Sequence, residues 1–181
     1  EELSTLCLEK KAIAFSNDPD ADRHVMIDEN GQKISPEKIT AIIINYCKQS
    51  DISVSSISTT LANSILVKHV CNHFSIPFNE TKIGFKYFTP FLKEASNHDR
   101  LSIGVESSGG FSISLHTFDK CGFLPILIIL GIMKKQQKTL HELSSDIDKM
   151  FSNYIFVEDS ISIHNSNMDP YQLLLSNKDV I

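Results

Sequence analysis

The sequence predicts an α/β protein, an α/β layer built on a mixed sheet. Three observations carry that expectation. Short apolar runs fit for strands alternate with segments of helical spacing along most of the chain. Turn and cap signals punctuate them, among them Asn30-Gly31 and Ser35-Pro36-Glu37. The chain has 181 residues, 41% of them hydrophobic. That suits one globular domain, or one and a part, large enough to bury roughly 70% of its unfolded surface.

The elements follow in order. Residues 11–16 (KAIAFS) form an apolar run suited to a buried strand, and residues 24–28 (HVMID) form a second. Between them lies the polar loop Asn17-Asp18-Pro19-Asp20-Ala21-Asp22-Arg23. Asn30-Gly31 marks a tight turn. Ser35 then serves as N-cap, with Pro36 at the first helical position and Glu37 in the first turn. That helix runs to about Gln49, with Ile39, Ile42, Ile43 and Tyr46 on its apolar face.

A second unit starts at Asp51. Residues 52–58 alternate apolar and polar, apart from one doubled serine, and predict a strand. Leu61, Ile65, Leu66, His69 and Val70 have helical spacing and predict a helix over 61–74. Residues 78–84 predict a strand, and 85–95 a helix with Phe88, Phe91 and Leu92 inward. Strands are expected at 101–105 and 111–115, and helices at 122–135 and 140–151, the last with Thr139 as N-cap. Residues 123–133 are the most apolar stretch. They fall short of the about 20 residues that span a bilayer, contain Pro125 and Gly131, and predict a buried helix. Beyond Ser160 the chain is polar and irregular and reads as a linker.

Charge and cysteines narrow the function classes. Lys+Arg number 17 against 22 Asp+Glu, a net −5, so no basic face is expected for nucleic acid or an anionic membrane. Arg23 and Arg100 are the two arginines, too few for a surface of bidentate arginine–phosphate forks. Cys7, Cys47, Cys71 and Cys121 show no C-x-x-C spacing and read as reduced thiols of a cytoplasmic protein. Residues 1–11 lack the basic start and apolar stretch of a signal peptide.

Asp18, Asp20 and Asp22 recur at i, i+2, i+4, which in an extended loop can turn three carboxylates toward one point. Hard divalent cations take such oxygen donors, and without a counter-ion the carboxylates repel one another. Isolated, the same pattern also describes a solvated acidic turn. With Glu29 at position 12 it even matches a calcium EF-hand loop. Position 6 of that loop demands glycine, however, and here it is Arg23; β-rich runs, not helices, flank the loop.

The segment Ala14-Phe15-Ser16-Asn17-Asp18-Pro19-Asp20-Ala21-Asp22-Arg23-His24 resembles the metal loop of the α-D-phosphohexomutases, the phosphoglucomutases and phosphomannomutases. Two further segments agree, in order. Thr81-Lys82-Ile83-Gly84-Phe85-Lys86-Tyr87-Phe88 resembles the T-x-x-G-F-K stretch of the phosphoglucomutase-like branch. Gly104-Val105-Glu106-Ser107-Ser108-Gly109-Gly110 resembles its sugar-recognition loop.

The resemblance implies a phosphoryl shuffle, with glucose the favoured sugar. A phosphoserine gives its phosphoryl group to a hexose phosphate, the hexose bisphosphate turns over, and the other phosphate returns to the serine. It implies Mg²⁺ held by Asp18, Asp20 and Asp22, with Arg23 at the phosphoserine or the developing charge. Glu106 and Ser108 would bind sugar hydroxyls, Gly109 would let the backbone approach, and Lys86 would act as general acid/base or charge stabiliser. Each of these residues also has an ordinary reading: Lys86 as a solvated helix residue, Glu106 as a turn residue, His24 as packing. His69 and His73, i and i+4 on a predicted helix with no acidic third ligand, read as structural. Val105 stands where the family usually carries an acidic or small residue.

The family has four domains, the first three related α/β units. On that pattern residues 1–50 match the end of the second, metal-loop domain, residues 51–155 the third, sugar-recognition domain, and residues 156–181 a linker. No phosphoserine segment like T-A-S-H-N is found, since Ala62-Asn63-Ser64 sits inside a predicted helix and no His follows. The fourth domain's phosphate clamp is also missing. The expectation is therefore a fragment that is inactive without the remaining domains of a parent chain. The alternative is a non-catalytic module of this fold that binds a sugar phosphate or a protein.

Overall fold

A computed structural model describes residues 2–151; the linker expected at 156–181 lies outside them. The fold is mixed α/β. Its elements are α1 (Glu2–Lys10), β1 (Ala14–Asn17), β2 (His24–Ile27), β3 (Lys33–Ile34), α2 (Pro36–Gln49), β4 (Val54–Thr60), α3 (Leu66–His73), β5 (Phe78–Thr81), α4 (Thr89–Ser96), β6 (Leu101–Val105), β7 (Phe111–Ile113), α5 (Phe123–Gln136) and α6 (Leu140–Met150).

Two sheets organise them. The first is antiparallel, in the order β1-β2-β3. The second runs β5-β4-β6-β7: β4 lies parallel to both β5 and β6, and β7 returns antiparallel to β6. A lone antiparallel bridge between Arg23 and Gly110 joins the loop before β2 to the loop after β6.

One large apolar interior spans both units. Met26 and Ile34 come from the first sheet, Ile39, Ile42 and Ile44 from α2, Ile57, Ile103 and Phe111 from the second sheet, and Ile126, Ile129 and Ile147 from α5 and α6. The α2 helix starts where its cap predicts: the Ser35 hydroxyl accepts from the Lys38 N–H and Pro36 fills the first turn. Thr139 and Glu142 form a reciprocal capping box on α6. A second, smaller cluster gathers Phe85, Phe88 and Leu92. It abuts β6 because residue 104 is glycine; a Cβ there would sit 2.8 Å from Phe88 Cδ2.

Several boundaries differ from the sequence reading. The first strand begins at Ala14, after Lys11 turns the chain with φ 51°. The helix expected from residue 61 begins at Leu66, because the Asn63 carboxamide accepts from both the N–H and the hydroxyl of Thr60 and holds 61–64 as a turn. Ala62-Asn63-Ser64 is thus loop rather than helix. The segment 85–95 divides into a single 3₁₀ turn over Phe85–Tyr87 and then α4, with Pro90 in the first turn of the latter. The most apolar helix, α5, is buried on one side only: Ile126, Ile129 and Ile132 face inward, while Phe123 and Leu127 are 54% and 65% exposed. Neither α1 nor β3 was expected. The α1 helix carries little amphipathic pattern, yet the Asn30-Gly31 turn packs on it so closely that a Cβ at Gly31 would lie 2.7 Å from the Ser4 carbonyl oxygen.

Candidate functional site

The candidate site forms where the loop between β1 and β2 meets the loop after β6. The latter leaves the carboxyl end of a parallel strand, the usual place for ligands in such sheets. The acidic loop is wound tightly. The Ala21 N–H donates to the Asp18 carbonyl at 3.0 Å, Ala21 takes φ 57°, and the Asn17 side-chain amide donates to the Arg23 carbonyl at 2.8 Å. This winding brings one oxygen from each of Asp18, Asp20 and Asp22 within 4.8 Å of the others.

Two cations balance the cluster. Arg23 donates through Nε to Asp18 Oδ2 at 2.6 Å and through its backbone N–H to Asp18 Oδ1 at 3.1 Å. The same Nε lies 3.6 Å from Asp22 Oδ1, and Lys120 Nζ lies 2.5 Å from Asp22 Oδ2. Partial desolvation opposes ionisation of Asp18, but the hydrogen bonds and charge of Arg23 outweigh it and hold the carboxyl at about 2. Lys120 is pushed above the usual ammonium range, chiefly by its hydrogen bond to Asp22. It therefore stays charged and serves as a fixed cation rather than a base.

The donor set fits a hard divalent cation. It brings three carboxylates together, with Asp20 exposed and accessible, and among the described residues the buried Asp22 Oδ1 accepts no hydrogen bond, Arg23 Nε lying 3.6 Å away.

The loop 106–110 closes on itself. Glu106 N–H donates to the Gly110 carbonyl at 2.9 Å, and Gly109 N–H to the Glu106 carbonyl at 3.0 Å. Glu106 is 9% exposed, and burial pushes its carboxyl up; the charge of Lys120 and the Gly84 N–H work the other way. Gly109 has φ 98°, and a Cβ there would come 2.5 Å from the His24 carbonyl oxygen. At Gly110 a Cβ would meet the Lys120 stem at 2.6 Å.

Most of the residues singled out from the sequence thus converge. Asp18, Arg23, His24 and Ser108 line one cleft of about 340 Å³. Glu106 is coupled electrostatically to Lys120 and so to Asp22. Lys86 stands apart: it is exposed, its ammonium lies 5.3 Å from the centre of the Tyr87 ring, and among the described residues no ion pair joins it to the acidic loop. Its turn still bears on the site through Gly84, whose backbone opposes the rise of the Glu106 carboxyl. Val105 is fully buried in β6, so it faces the core rather than a ligand. His73 packs edge-on against Phe74 and Phe151.

Sequence reasoning missed Lys120. A single lysine in the loop before α5 has no spacing pattern to mark it. The available signal was Gly122, which is pressed against the Asn17 side chain and the Arg23 carbonyl and donates its N–H to Ala21 at 2.9 Å.

Comparison with known proteins agrees with this fold. Residues 35–150 match the family model described as phosphoglucomutase/phosphomannomutase, alpha/beta/alpha domain III. The phosphoglucosamine mutase of Clostridium botulinum (strain Eklund 17B / Type B) is 30% identical over 147 residues, covering 80% of this chain and 32% of the relative. The phosphoglucomutase pp63/parafusin from Paramecium, in its open form, superposes with a TM-score of 0.69 at 20% identity over 84% of this chain and 28% of its own. The N-acetylphosphoglucosamine mutase of Aspergillus fumigatus, solved with GlcNAc-6P and magnesium, gives 0.60 at 13% identity over 80% and 33%. The two structures share the fold. The chain spans about a third of the length of the curated relatives it matches.

Proposed function

The chain belongs to the phosphoglucomutase/phosphomannomutase family, and from that membership we propose that it is part of a phosphohexomutase interconverting hexose 1-phosphates and hexose 6-phosphates. The observation that carries the reading is the meeting of the three-aspartate loop with the Glu106–Gly110 loop across one cleft. A phosphoserine and a bisphosphate intermediate belong to the same proposal, as do the remaining domains that would supply the serine.

Asp18, Asp20 and Asp22 would hold Mg²⁺, which when bound acts as a Lewis acid on a phosphoryl oxygen. Arg23, held beside Asp18, presents the rest of its guanidinium to anionic charge at the cleft mouth. Lys120 fixes Asp22 and adds a permanent positive charge behind it. Glu106 and Ser108 bind the sugar hydroxyls, and Gly109 lets the backbone come close. Lys86 remains the proposed proton carrier on the strength of the T-x-x-G-F-K resemblance, although its ammonium lies over Tyr87 and apart from the acidic loop. Residues 1–50 are proposed as the end of the metal-loop domain and 51–155 as the sugar-recognition domain. Four thiols without a pairing pattern support a cytoplasmic setting.

The sugar has two readings. The phosphoglucomutase-like motifs favour glucose, whereas the curated relatives are phosphoglucosamine mutases and favour glucosamine. The test is an assay of the full-length protein with Mg²⁺ on the 1- and 6-phosphates of glucose, mannose and glucosamine. Interconversion of at least one pair is expected, with residues 1–181 alone inactive. Absence of turnover on all three would leave a non-catalytic binding module as the surviving reading.

A further inference from the structure

His24 is only 2% exposed, and its ring is tied to the loop 106–110 rather than to its own strand. Its Nδ1 lies 2.7 Å from the Gly109 carbonyl oxygen, and its backbone N–H donates to the same oxygen at 3.2 Å. An imidazole nitrogen facing a carbonyl must carry a hydrogen, so Nδ1 is the donor. Both acceptor positions of one carbonyl are filled from one residue, which fixes the plane of the peptide between Gly109 and Gly110. Arg23 bridges Gly110 next door, and the Gly109 conformation leaves no room for a Cβ against the His24 carbonyl.

This arrangement is not what packing alone would select. His24 Nε2 is buried and has no hydrogen-bond partner among the described residues, a cost that an apolar ring at the same place would avoid. The ring already packs edge-on to Phe111 at 6.5 Å, a contact phenylalanine would keep. What phenylalanine would lose is the bond to Gly109.

We propose that His24 is a positioning residue that holds the sugar-binding loop 106–110 in register with the acidic loop, so that the two ends of a hexose phosphate are met at a set separation. The proposal rests on the hexose-phosphate reading above. Through the Gly109–Gly110 peptide the clasp sets the closure of the loop, since Gly110 O receives Glu106 N–H and Gly109 N–H reaches Glu106 O. Glu106 and Ser108 are aimed by that closure. Loosening it weakens sugar binding while leaving the metal ligands in place.

The test compares His24→Asn with His24→Gln in the full-length protein. The asparagine amide reaches the place of Nδ1 and keeps the donor, whereas the glutamine amide reaches the place of Nε2 and does not. Both are polar and face the same burial. Steady-state kinetics on a turned-over hexose phosphate, with Mg²⁺ saturating, are read beside amide hydrogen exchange of Glu106 and Gly109. His24→Gln should raise KM about tenfold, the worth of one hydrogen bond, with kcat within about threefold, and speed exchange of both amides about tenfold. His24→Asn should stay within about twofold of the parent in both readouts. Equal behaviour of the two variants, or no change in either, overturns the proposal. If the parent turns over no hexose phosphate, the functional reading falls, and the exchange data alone decide the clasp. If His24→Gln melts early, amide exchange of Glu106 in Gly109→Ala decides, because that substitution forces the loop off the His24 carbonyl; an unchanged Glu106 amide there is equally fatal.

Discussion

Two ends of the same short strand treat a carboxylate in opposite ways. Before β2, Asp22 has one oxygen on Lys120, while the other, though buried, accepts no hydrogen bond among the described residues and lies 3.6 Å from Arg23 Nε. After β2, Asp28 is fully buried and fully served. Its Oδ1 accepts from the N–H groups of Asn30 and Gln32 at 3.0 and 2.8 Å, and its Oδ2 lies 3.1 Å from His141 Nδ1 on α6. Asp28 closes the Asn30-Gly31 turn and ties the first sheet to the last helix, so its pairing is the fold's own. Asp22 sits among like charges that Arg23 and Lys120 balance, yet its Oδ1 accepts no hydrogen bond among the described residues, so its pairing is unfinished beside that of Asp28. An unfinished, preorganised acidic cluster is a candidate ligand site, whereas a finished one is architecture.

The contrast is broken most severely at Asp20. It is exposed, takes no part in the core, and its third carboxylate completes the cluster. In the full-length protein Asp20→Asn should lower kcat/KM about 10²–10³-fold, the range for removing one preorganised electrostatic group, while shifting the thermal midpoint little. Addition of Mg²⁺ should protect the parent against thermal unfolding more than it protects the variant. Unchanged turnover would remove the metal assignment.

Asp28→Ala tests the other half. It strips two backbone N–H groups and His141 of their common partner in a buried place, and a loss of about 2–3 kcal/mol is expected by denaturant unfolding. Mg²⁺ protection of the folded variant should match the parent's. A variant with full stability and weakened metal protection would reverse the assignments of the two aspartates.

The same contrast explains which features are legible in the sequence. The i, i+2, i+4 aspartates were legible because spacing alone gathers them in a loop, and Ser35-Pro36 and Thr139 marked α2 and α6 because caps are local chemistry. Asp28 passed unremarked because its partners are backbone groups and a histidine more than a hundred residues away. Lys120 was hidden for the same reason: its role exists only once Asp22 lies beside it. The α1 helix depends on the turn at Gly31 that it packs against, and the start of α3 on one asparagine side chain. The exposed face of α5 could not be told from its buried face, because Phe123, Leu127 and Leu130 on the one are as apolar as Ile126, Ile129 and Ile132 on the other.

A third aspartate sets the lower bound of the comparison. Asp146, on α6, pairs with Lys138 at 2.6 Å and Lys149 at 3.3 Å, and it is 32% exposed. The hydrogen bond from Lys138 holds its carboxyl below the usual range, against partial desolvation. A depressed folded value means that the ionised form is favoured by folding. The contribution is therefore complete above the ordinary aspartate value of about 3.8 and is lost as pH falls through the lower folded value. Solvent screens the pair, so Asp146→Asn should cost only about 0.5 kcal/mol at neutral pH. The difference between parent and variant should shrink at 1 M salt and vanish in acid below the folded value. A cost as large as that at Asp28 would mean that surface pairing rivals buried pairing in this fold, and the distinction between finished and unfinished carboxylates would no longer separate structure from site.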